Sequence, residues 1–340
     1  MFKELLKQCV EGKVLTEQQA YEMMNEIMIG NASESQIASL LSILRLRGET
    51  VEEMTGFARA MRAHMTPLEY DDDIIDTCGT GGDGSSTFNI STASAIVVSS
   101  LGVKVAKHGN RAVSSKSGSA DVLEKLGIET QADQAQAISA LNEKGMSFLF
   151  APIYHSAMKH AVIPRKEIGF RTVFNLLGPL SNPARCKKQV IGVYSTEYAE
   201  KMAYTLKNLG SEHVLLVTGR DGLDECTITA ETDVVELKNG EITRYVIKPE
   251  NVGLSRGRKE DIIASSVEES ASIIHQIFMN TANESALNIV LLNSATALYV
   301  SGKVANIEEG VNIARTAIKD GTVKDHYIKL QTRKVEGYAY

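Results

Sequence analysis

The nine residues DTCGTGGDG at positions 76–84 follow a short apolar run at 74–75 and precede a segment at 91–101 with helical patterning. A strand, a glycine-rich loop and a helix in this order are typical of an α/β fold. Four of the six residues at 79–84 are glycine, more than an ordinary strand-to-helix turn requires. The backbone N–H groups of such a loop can approach a ligand closely and favour an anion. The stretch therefore predicts an anion-binding loop, with a plain turn as the alternative.

Two familiar nucleotide motifs fit this loop poorly. Gly79, Gly81 and Gly84 satisfy GxGxxG, but a dinucleotide fold also needs an acidic residue about 20 positions later. Lys107 and His108 occupy that place. A P-loop needs a lysine followed by serine or threonine after its last glycine, whereas two serines follow here. The sequence therefore disfavours a dinucleotide-binding motif and a P-loop. An anion-binding loop of another kind remains.

Outward from the loop, short apolar runs alternate with amphipathic segments. This alternation predicts a mixed, mostly parallel sheet covered by helices. The stretch 226–248 is rich in β-branched residues around an Asn239-Gly240 turn, which predicts an antiparallel excursion. The predicted strands lie at 74–75, 103–106, 148–150, 190–193 and 214–217, and the predicted helices at 91–101, 119–126, 132–144, 197–209, 267–279, 284–300 and 306–319.

The first 65 residues have the pattern of helices alone. Thr16, Ser33 and Thr50 are each followed three positions later by Gln or Glu, which is the signature of a capping box at a helix start. The apolar residues after each of them recur at helical spacing. We therefore predict a small all-α N-terminal region. Prolines interrupt the stretch 165–187, whose structure the sequence leaves ambiguous.

Composition limits the classes of function. The chain has 340 residues, is 43% hydrophobic and carries a net charge of −6, from 36 Lys and Arg against 42 Asp and Glu. This composition is that of a globular protein, and the acidic balance disfavours general binding to nucleic acid or to an anionic membrane. Four scattered cysteines without a CxxC pair disfavour a zinc site or a disulfide framework. With no signal-peptide pattern and no long apolar run, we expect a cytoplasmic protein.

A basic segment follows the second predicted strand. Lys104, Lys107, Arg111 and Lys116 occur with no acidic residue until Asp121. Loops at this position in an open α/β sheet bind ligands, so the segment and the glycine loop together suit a ligand with more than one phosphate. A solvated basic loop is the alternative.

Two further groups of polar residues carry chemistry. Asp224 and Glu225 follow the strand predicted at 214–217, and adjacent carboxylates can hold Mg²⁺ together with substrate phosphates. Surface charges are the alternative for this pair. His155 and Arg165 belong to a basic cluster, and an arginine fork can clamp a carboxylate. An ordinary helix surface explains that cluster equally well.

Taken together, these segments resemble the anthranilate phosphoribosyltransferase family. The similarity runs in the same order along nearly the whole chain, and several motifs together are far more specific than any one. The segments that carry it are DTCGTGGDG (76–84), FNIST (88–92), KHGNR (107–111), SKSGSADVLE (115–124), HSAMKH (155–160), RKE (165–167), RTVFNLLGPLSNP (171–183), GLDE (222–225) and LNSATAL (292–298).

The resemblance implies a fold of the nucleoside phosphorylase/phosphoribosyltransferase type. It has a helical domain at 1–66, joined by part of 165–187, and an α/β domain at 70–340 that binds phosphoribosyl pyrophosphate. It also implies a homodimer through the helical domain, with no nucleic-acid or membrane partner. The implied reaction transfers the phosphoribosyl group to the amine of anthranilate in tryptophan biosynthesis. Mg²⁺, in two ions, is the implied cofactor.

The same resemblance assigns roles to individual positions. Lys107 and Arg165 are the implied catalytic residues. The implied ligands of Mg²⁺ are Ser91, Asp224 and Glu225, and those of anthranilate are Gly79, Asn110, His155 and Arg165. The positions implied to bind phosphoribosyl pyrophosphate are Gly79, Gly82, Asp83, Thr87, Asn89, Ile90, Ser91, Thr92, Lys107, His108, Gly109, Asn110, Arg111, Ser115 and Ser119.

Two positions depart from the family pattern, and two other functions remain as alternatives. Ser156 stands where the family has proline, and Thr218 stands where it usually has histidine. A pyrimidine nucleoside phosphorylase has a related fold but needs no metal bound to pyrophosphate. A nucleic-acid-binding relative would need an extended basic groove.

Overall fold

The computed structural model describes residues 1–112 and 117–332, and it begins with four helices. In α2, α3 and α4 the side chain of the capping threonine or serine accepts the N–H of the third helical residue. The three predicted capping boxes are therefore confirmed. These helices are α1 (Phe2–Val10), α2 (Glu17–Met28), α3 (Glu34–Arg47) and α4 (Val51–His64).

Seven strands form one sheet in the spatial order β3-β2-β1-β4-β5-β6-β7. The first five are parallel, and β6 and β7 are antiparallel, so the predicted mixed, mostly parallel sheet is confirmed. Asn239 and Gly240 have positive φ angles of 51° and 83°, which close the β6–β7 hairpin as predicted. The strands are β1 (Ile74–Gly79), β2 (Lys104–Gly109), β3 (Met146–Phe150), β4 (Lys188–Gly192), β5 (His213–Gly219), β6 (Thr232–Lys238) and β7 (Glu241–Ile247).

The remaining helices connect and cover the strands. Seven of them correspond to the predicted helices, whereas the three between residues 151 and 177 and the one at 322–330 lie outside the predicted set. They are α5 (Ile90–Ser100), α6 (Ser119–Lys125), α7 (Gln134–Lys144), α8 (Ala151–Tyr154), α9 (Lys159–Ile168), α10 (Val173–Leu177), α11 (Thr196–Asn208), α12 (Val267–Phe278), α13 (Glu284–Ser301), α14 (Ile307–Lys319) and α15 (Thr322–Leu330).

Two large hydrophobic cores cover the sheet. One joins β1, β2, β4 and β5 to helices α5 and α12–α15. The other joins strands β4–β6 and α11 to the four N-terminal helices and to buried residues of 161–180. The ambiguous stretch 165–187 thus contributes helical turns that pack between the N-terminal helices and the sheet.

The strand order reverses between β1 and β4, and this position is where a ligand site is expected. After β1 the chain builds outward through β2 and β3, and then returns to form β4 on the other side of β1. In open α/β sheets, ligands bind beyond the carboxyl ends of strands at such a switch point. Gly79 ends β1 and pairs with Gly192, which ends β4.

Among the described residues there is neither a disulfide nor a membrane-spanning helix. The four cysteines are free and buried. Among residues 1–112 and 117–332, no helix combines the length and the apolar character needed to cross a bilayer.

Candidate functional site

Asp224 lies directly above the switch point of the sheet. A Cβ atom at Gly79 would come within 2.7 Å of Asp224 Oδ2, and one at Gly192 within 1.6 Å of the Asp224 carbonyl oxygen. Both strand ends therefore need glycine because the 222–225 loop crosses them closely. The Gly81 N–H donates to Asp224 Oδ2 at 2.7 Å, which ties the glycine loop to the same carboxylate.

A polar cavity of about 320 Å³ opens at this point. The glycine loop, the start of α5, the end of β2 and the 222–225 loop surround it. Thr92 lies behind the wall, fully buried, and its hydroxyl donates to Asn89 Oδ1. Ser115 lies outside the described residues. The predicted site residues that line the cavity are Gly79, Gly82, Asp83, Thr87, Asn89, Ile90, Ser91, Lys107, His108, Gly109, Asn110, Arg111, Ser119, Asp224 and Glu225.

Three carboxyl groups gather at one end of the polar cavity. Burial, together with the neighbouring Asp83 carboxyl, raises the pKa of Asp224 to about 7. Burial and the adjacent Asp224 also raise the pKa of Glu225. Carboxylates removed from bulk water and next to like charges favour a cation. In the described part of the chain, no cluster of three or more His, Cys, Asp and Glu side chains is arranged as a metal site.

Lys107 lies beneath the cavity rather than projecting freely into it. Its side chain is 1% exposed, and Nζ donates to the Thr77 carbonyl at 2.5 Å and to Ser91 Oγ at 3.3 Å. Burial lowers the pKa of this amine, whereas Asp76 and Glu225 act in the opposite direction. The two hydrogen bonds therefore hold the Lys107 amine in a fixed position under the start of α5.

The other cations of the basic segment are less available than the sequence suggests. Arg111 is held at 2.7 Å by Asp121 and at 2.5 Å by Glu124, both on α6. Lys104 is the first residue of β2 and lies at the opposite end of the strands from the cavity, where it pairs with Asp72 at 2.5 Å. The expectation that Lys104 joins the phosphate site is therefore wrong, because the strand separates it from the cavity. Lys116 lies outside the described residues.

A second cavity, of about 440 Å³, adjoins the polar one and is largely apolar. Residues from α4, α8, α9 and α10 form its far wall, so it lies between the helical bundle and the sheet. All four residues predicted to contact the acceptor line it, namely Gly79, Asn110, His155 and Arg165. The residues that line both cavities are Cys78, Gly79, Thr80, His108, Gly109, Asn110 and Asn175.

Arg165 provides an unpaired positive charge in the apolar cavity. Its guanidinium lies 5.1 Å from the centre of the Phe174 ring. No carboxylate within residues 1–112 or 117–332 forms an ion pair with it, although burial lowers its pKa. A half-buried arginine without a protein counterion is well suited to a carboxylate on a ligand.

Two neutral histidines lie beside this cavity, with ring centres 5.1 Å apart. Burial lowers the pKa of His108 to about 3 and that of His155 to about 4. Each ring bonds a backbone carbonyl, that of Gly178 or Ser181, while no described residue bonds Nε2 of either ring. Each Nε2 is therefore an unprotonated hydrogen-bond acceptor at neutral pH.

Sequence reasoning missed the residues that support this site. Asp76 is fully buried; Oδ1 accepts the His108 N–H at 3.2 Å, and Oδ2 accepts the Asn182 side-chain amide at 2.8 Å. This carboxylate fixes the end of β2 to the 165–187 stretch. Both residues lie inside motifs that the sequence analysis quoted, but nothing in their spacing indicated that they meet.

Comparisons with known proteins agree with this geometry. The chain matches the model of the glycosyl transferase family a/b domain over residues 71–324 and that of the family's helical bundle domain over residues 3–65. It is 65% identical to an anthranilate phosphoribosyltransferase of Geobacillus sp. (strain WCH70), over all of both chains. It is 64% identical to that of Geobacillus kaustophilus, covering 98% of this chain and 99% of the relative.

Solved structures are similar over the same extent. The crystal structure of an anthranilate phosphoribosyltransferase (TrpD) from Thermus thermophilus has a TM-score of 0.89 and 40% identity, with 96% of this chain and 97% of that chain covered. The Saccharomyces cerevisiae anthranilate phosphoribosyltransferase in complex with PRPP and Mg has a TM-score of 0.88 and 26% identity, with 97% and 96% covered.

Proposed function

The chain belongs to the anthranilate phosphoribosyltransferase family, and we propose that its polar cavity binds phosphoribosyl pyrophosphate with Mg²⁺ while its apolar cavity binds anthranilate. The chain is a glycosyltransferase of tryptophan biosynthesis. It transfers the phosphoribosyl group to the anthranilate amine and gives N-(5-phosphoribosyl)anthranilate and pyrophosphate. The proposal concerns which residues perform each part of this reaction.

One observation carries the proposal: a polar and an apolar cavity meet at shared residues from the ends of β1 and β2. A polyphosphate suits the side with backbone N–H groups and hydroxyls. An aromatic carboxylate suits the side with Arg165 and Phe174. The unpaired Arg165 also favours a charged acceptor over the neutral base of a pyrimidine nucleoside.

The donor set of the polar cavity fits Mg²⁺. Asp224 and Glu225 supply carboxylate oxygens and Ser91 supplies a hydroxyl, and all three line this cavity. Mg²⁺ in proteins is bound by one or two carboxylates together with substrate phosphates and water. Burial and mutual repulsion raise the pKa values of both carboxyl groups, which supports a site that a bound cation would stabilise. We propose two ions, each shared with the donor; bound there, they would neutralise charge on the leaving pyrophosphate.

The remaining chemistry concerns positioning. The aromatic amine is neutral near pH 7 and needs no strong base before it attacks. A C–N bond forms at C1 of the ribose as the bond from C1 to pyrophosphate oxygen breaks, and the nitrogen then releases one proton. Arg165 and Asn110 would hold the acceptor at the shared boundary, and Lys107 would stabilise charge on the donor side. Such alignment supplies much of the rate in a two-substrate reaction.

The remaining predictions concern context. We propose a boundary between a helical domain at 1–66 and an α/β domain at 70–340, with part of 165–187 assigned to the former. We also propose a cytoplasmic homodimer that associates through the helical domain, without a nucleic-acid or membrane partner. Sedimentation of the purified protein tests the dimer.

The reaction itself is tested by anthranilate fluorescence. We expect the signal to decline only when both phosphoribosyl pyrophosphate and Mg²⁺ are present. A folded protein that leaves the signal unchanged with both would contradict the proposal. Pyrimidine nucleosides with phosphate, and salt-dependent nucleic-acid binding, would then test the two alternatives.

A further inference from the structure

Asn175 is the one polar residue of α10, whose sequence is VFNLL. The other four residues of this helix are buried in the core that joins the bundle to the sheet, whereas Asn175 is half-buried. Six of the seven residues that line both cavities lie at the ends of β1 and β2 or just after them. Asn175 is the seventh, and it reaches the shared boundary from the opposite side.

Half of the Asn175 side chain has a structural role. Its Oδ1 accepts the Thr172 N–H at 3.1 Å at the start of α10. A carboxylate at this position would accept that hydrogen bond equally well and would suit the positive end of a helix. The helix start therefore explains an oxygen acceptor here, but it does not explain an amide.

The other half of the side chain, the Nδ2 amide, has no structural role that the described residues show. No atom of the described residues accepts a hydrogen bond from Asn175 Nδ2, and this nitrogen is not sealed from the cavities. The hydrogen bond from the Thr172 N–H to Asn175 Oδ1 fixes the orientation of the side-chain amide. The two N–H groups of Nδ2 are therefore held in place before substrate binds. The preceding residue, Phe174, lies under the Arg165 guanidinium, which connects Asn175 to the carboxylate clamp.

We infer that Asn175 aligns the two substrates: its side-chain N–H groups bond to substrate at the boundary where the acceptor amine meets the ribose. This inference rests on the proposed function of the two cavities. Acceptor and donor can each occupy their cavity without Asn175, because Arg165 and the glycine loop anchor them. Loss of the amide therefore affects the relative position of the reacting atoms more than it affects either affinity.

Two substitutions separate the amide from the helix start. Asn175→Asp keeps an oxygen acceptor for the Thr172 N–H but removes both donors. Asn175→Ala removes the donors without adding charge. At saturating substrates we expect kcat to fall about 10- to 100-fold in both variants, with the KM values of Asn175→Ala within about threefold of wild type. The melting temperature of Asn175→Asp should equal that of wild type.

The matched control is Asn306→Asp. Asn306 Oδ1 also caps a helix, by accepting the Glu309 N–H at 2.9 Å, and this residue lies outside both cavities. Its kcat should be unchanged. A folded Asn175→Asp or Asn175→Ala with kcat within about twofold of wild type would overturn the inference, as would an effect of Asn175→Ala on KM alone. If Asn175→Ala does not fold, the kcat of Asn175→Asp alone tests the inference. Inactive wild-type protein would instead contradict the proposed function.

Discussion

The polar and apolar cavities lie side by side, yet they are built differently. Most of the polar cavity comes from two parts of the chain, 79–91 and the described residues of 107–112 and 117–119, with one loop at 224–225. The apolar cavity combines the ends of β1 and β2 with side chains from α4 and from 151–181. The polar side uses backbone N–H groups and carboxylates, whereas the apolar side uses one arginine, two neutral histidines and aromatic surface. The first is a local motif, and the second exists only where two layers meet.

This difference explains how each cavity handles charge. The polar cavity concentrates Asp83, Asp224 and Glu225, whose mutual repulsion calls for a cation. In the apolar cavity, no carboxylate of the described residues pairs with Arg165, and burial keeps His108 and His155 neutral. The polar cavity therefore favours a cation, which the proposed Mg²⁺ would supply. The apolar cavity favours an anion, which the carboxylate of the proposed acceptor would supply. The following predictions test whether the two sides act as separate units.

The largest effect is expected from the carboxylate pair. Replacing both Asp224 and Glu225 with alanine should lower turnover by about 10³-fold and weaken its dependence on Mg²⁺, because charge on the leaving group would be less neutralised. Steady-state rates across a magnesium titration measure this. Glu231→Gln, which removes one charge from a surface ion-pair cluster, is the control and should behave as wild type. Unaltered turnover in the double variant would remove the proposed role.

A somewhat smaller loss is expected from Gly79→Ala. The added Cβ would lie 2.7 Å from Asp224 Oδ2, so this carboxylate must move away from the Gly81 N–H. A displacement of about 1 Å in a reacting site can reduce the rate by about 10²-fold. We expect a higher magnesium requirement together with lower kcat. An unchanged magnesium requirement would show that Asp224 tolerates the shift.

On the apolar side, Arg165→Ala should act on one substrate. A charge-assisted hydrogen bond contributes about 1.5–3 kcal/mol, so the apparent KM for anthranilate should rise about 10- to 100-fold. The KM for phosphoribosyl pyrophosphate should change far less. Lys166→Ala, an exposed cation on the same helix, is the matched control. A variant whose defect fell only on the phosphoribosyl donor would contradict the separation of the two cavities.

The smallest effect concerns pH and stability. The pKa of His155 is lowered from an ordinary 6.5 to about 4, so the folded protein favours the neutral ring. Its stabilising contribution is complete above pH 6.5 and is lost as the pH falls from 6.5 towards 4. Between pH 7.5 and pH 5 this amounts to about 2 kcal/mol of unfolding free energy. His155→Asn should flatten the pH dependence of the melting temperature, and an equal slope in both proteins would exclude this ring as a source.

The parts of the site that were predictable share one property: their residues are close in sequence. Helix starts at Thr16, Ser33 and Thr50 follow from contacts three residues apart. The hairpin at Asn239-Gly240 and the glycine loop also depend on local backbone conformation. The resemblance to a known family supplied the residue roles that we propose, including those of Asn110 and Arg165. Helices α8, α9, α10 and α15 lay outside the predicted set.

The unpredictable parts depend on distance through space. Asp76 meets Asn182 across 106 positions, and the basic stretch divides between two edges of the sheet because Lys104 and Arg111 lie at opposite ends of β2. Local chemistry in the sequence indicated most of the elements, predicted an anion-binding loop and pointed to the two candidate ligand classes. Only the tertiary structure decided which side chains face each other, which charges lack a partner and where the two cavities meet. The reason is physical: burial and charge pairing depend on neighbours that the chain brings together only when its layers pack.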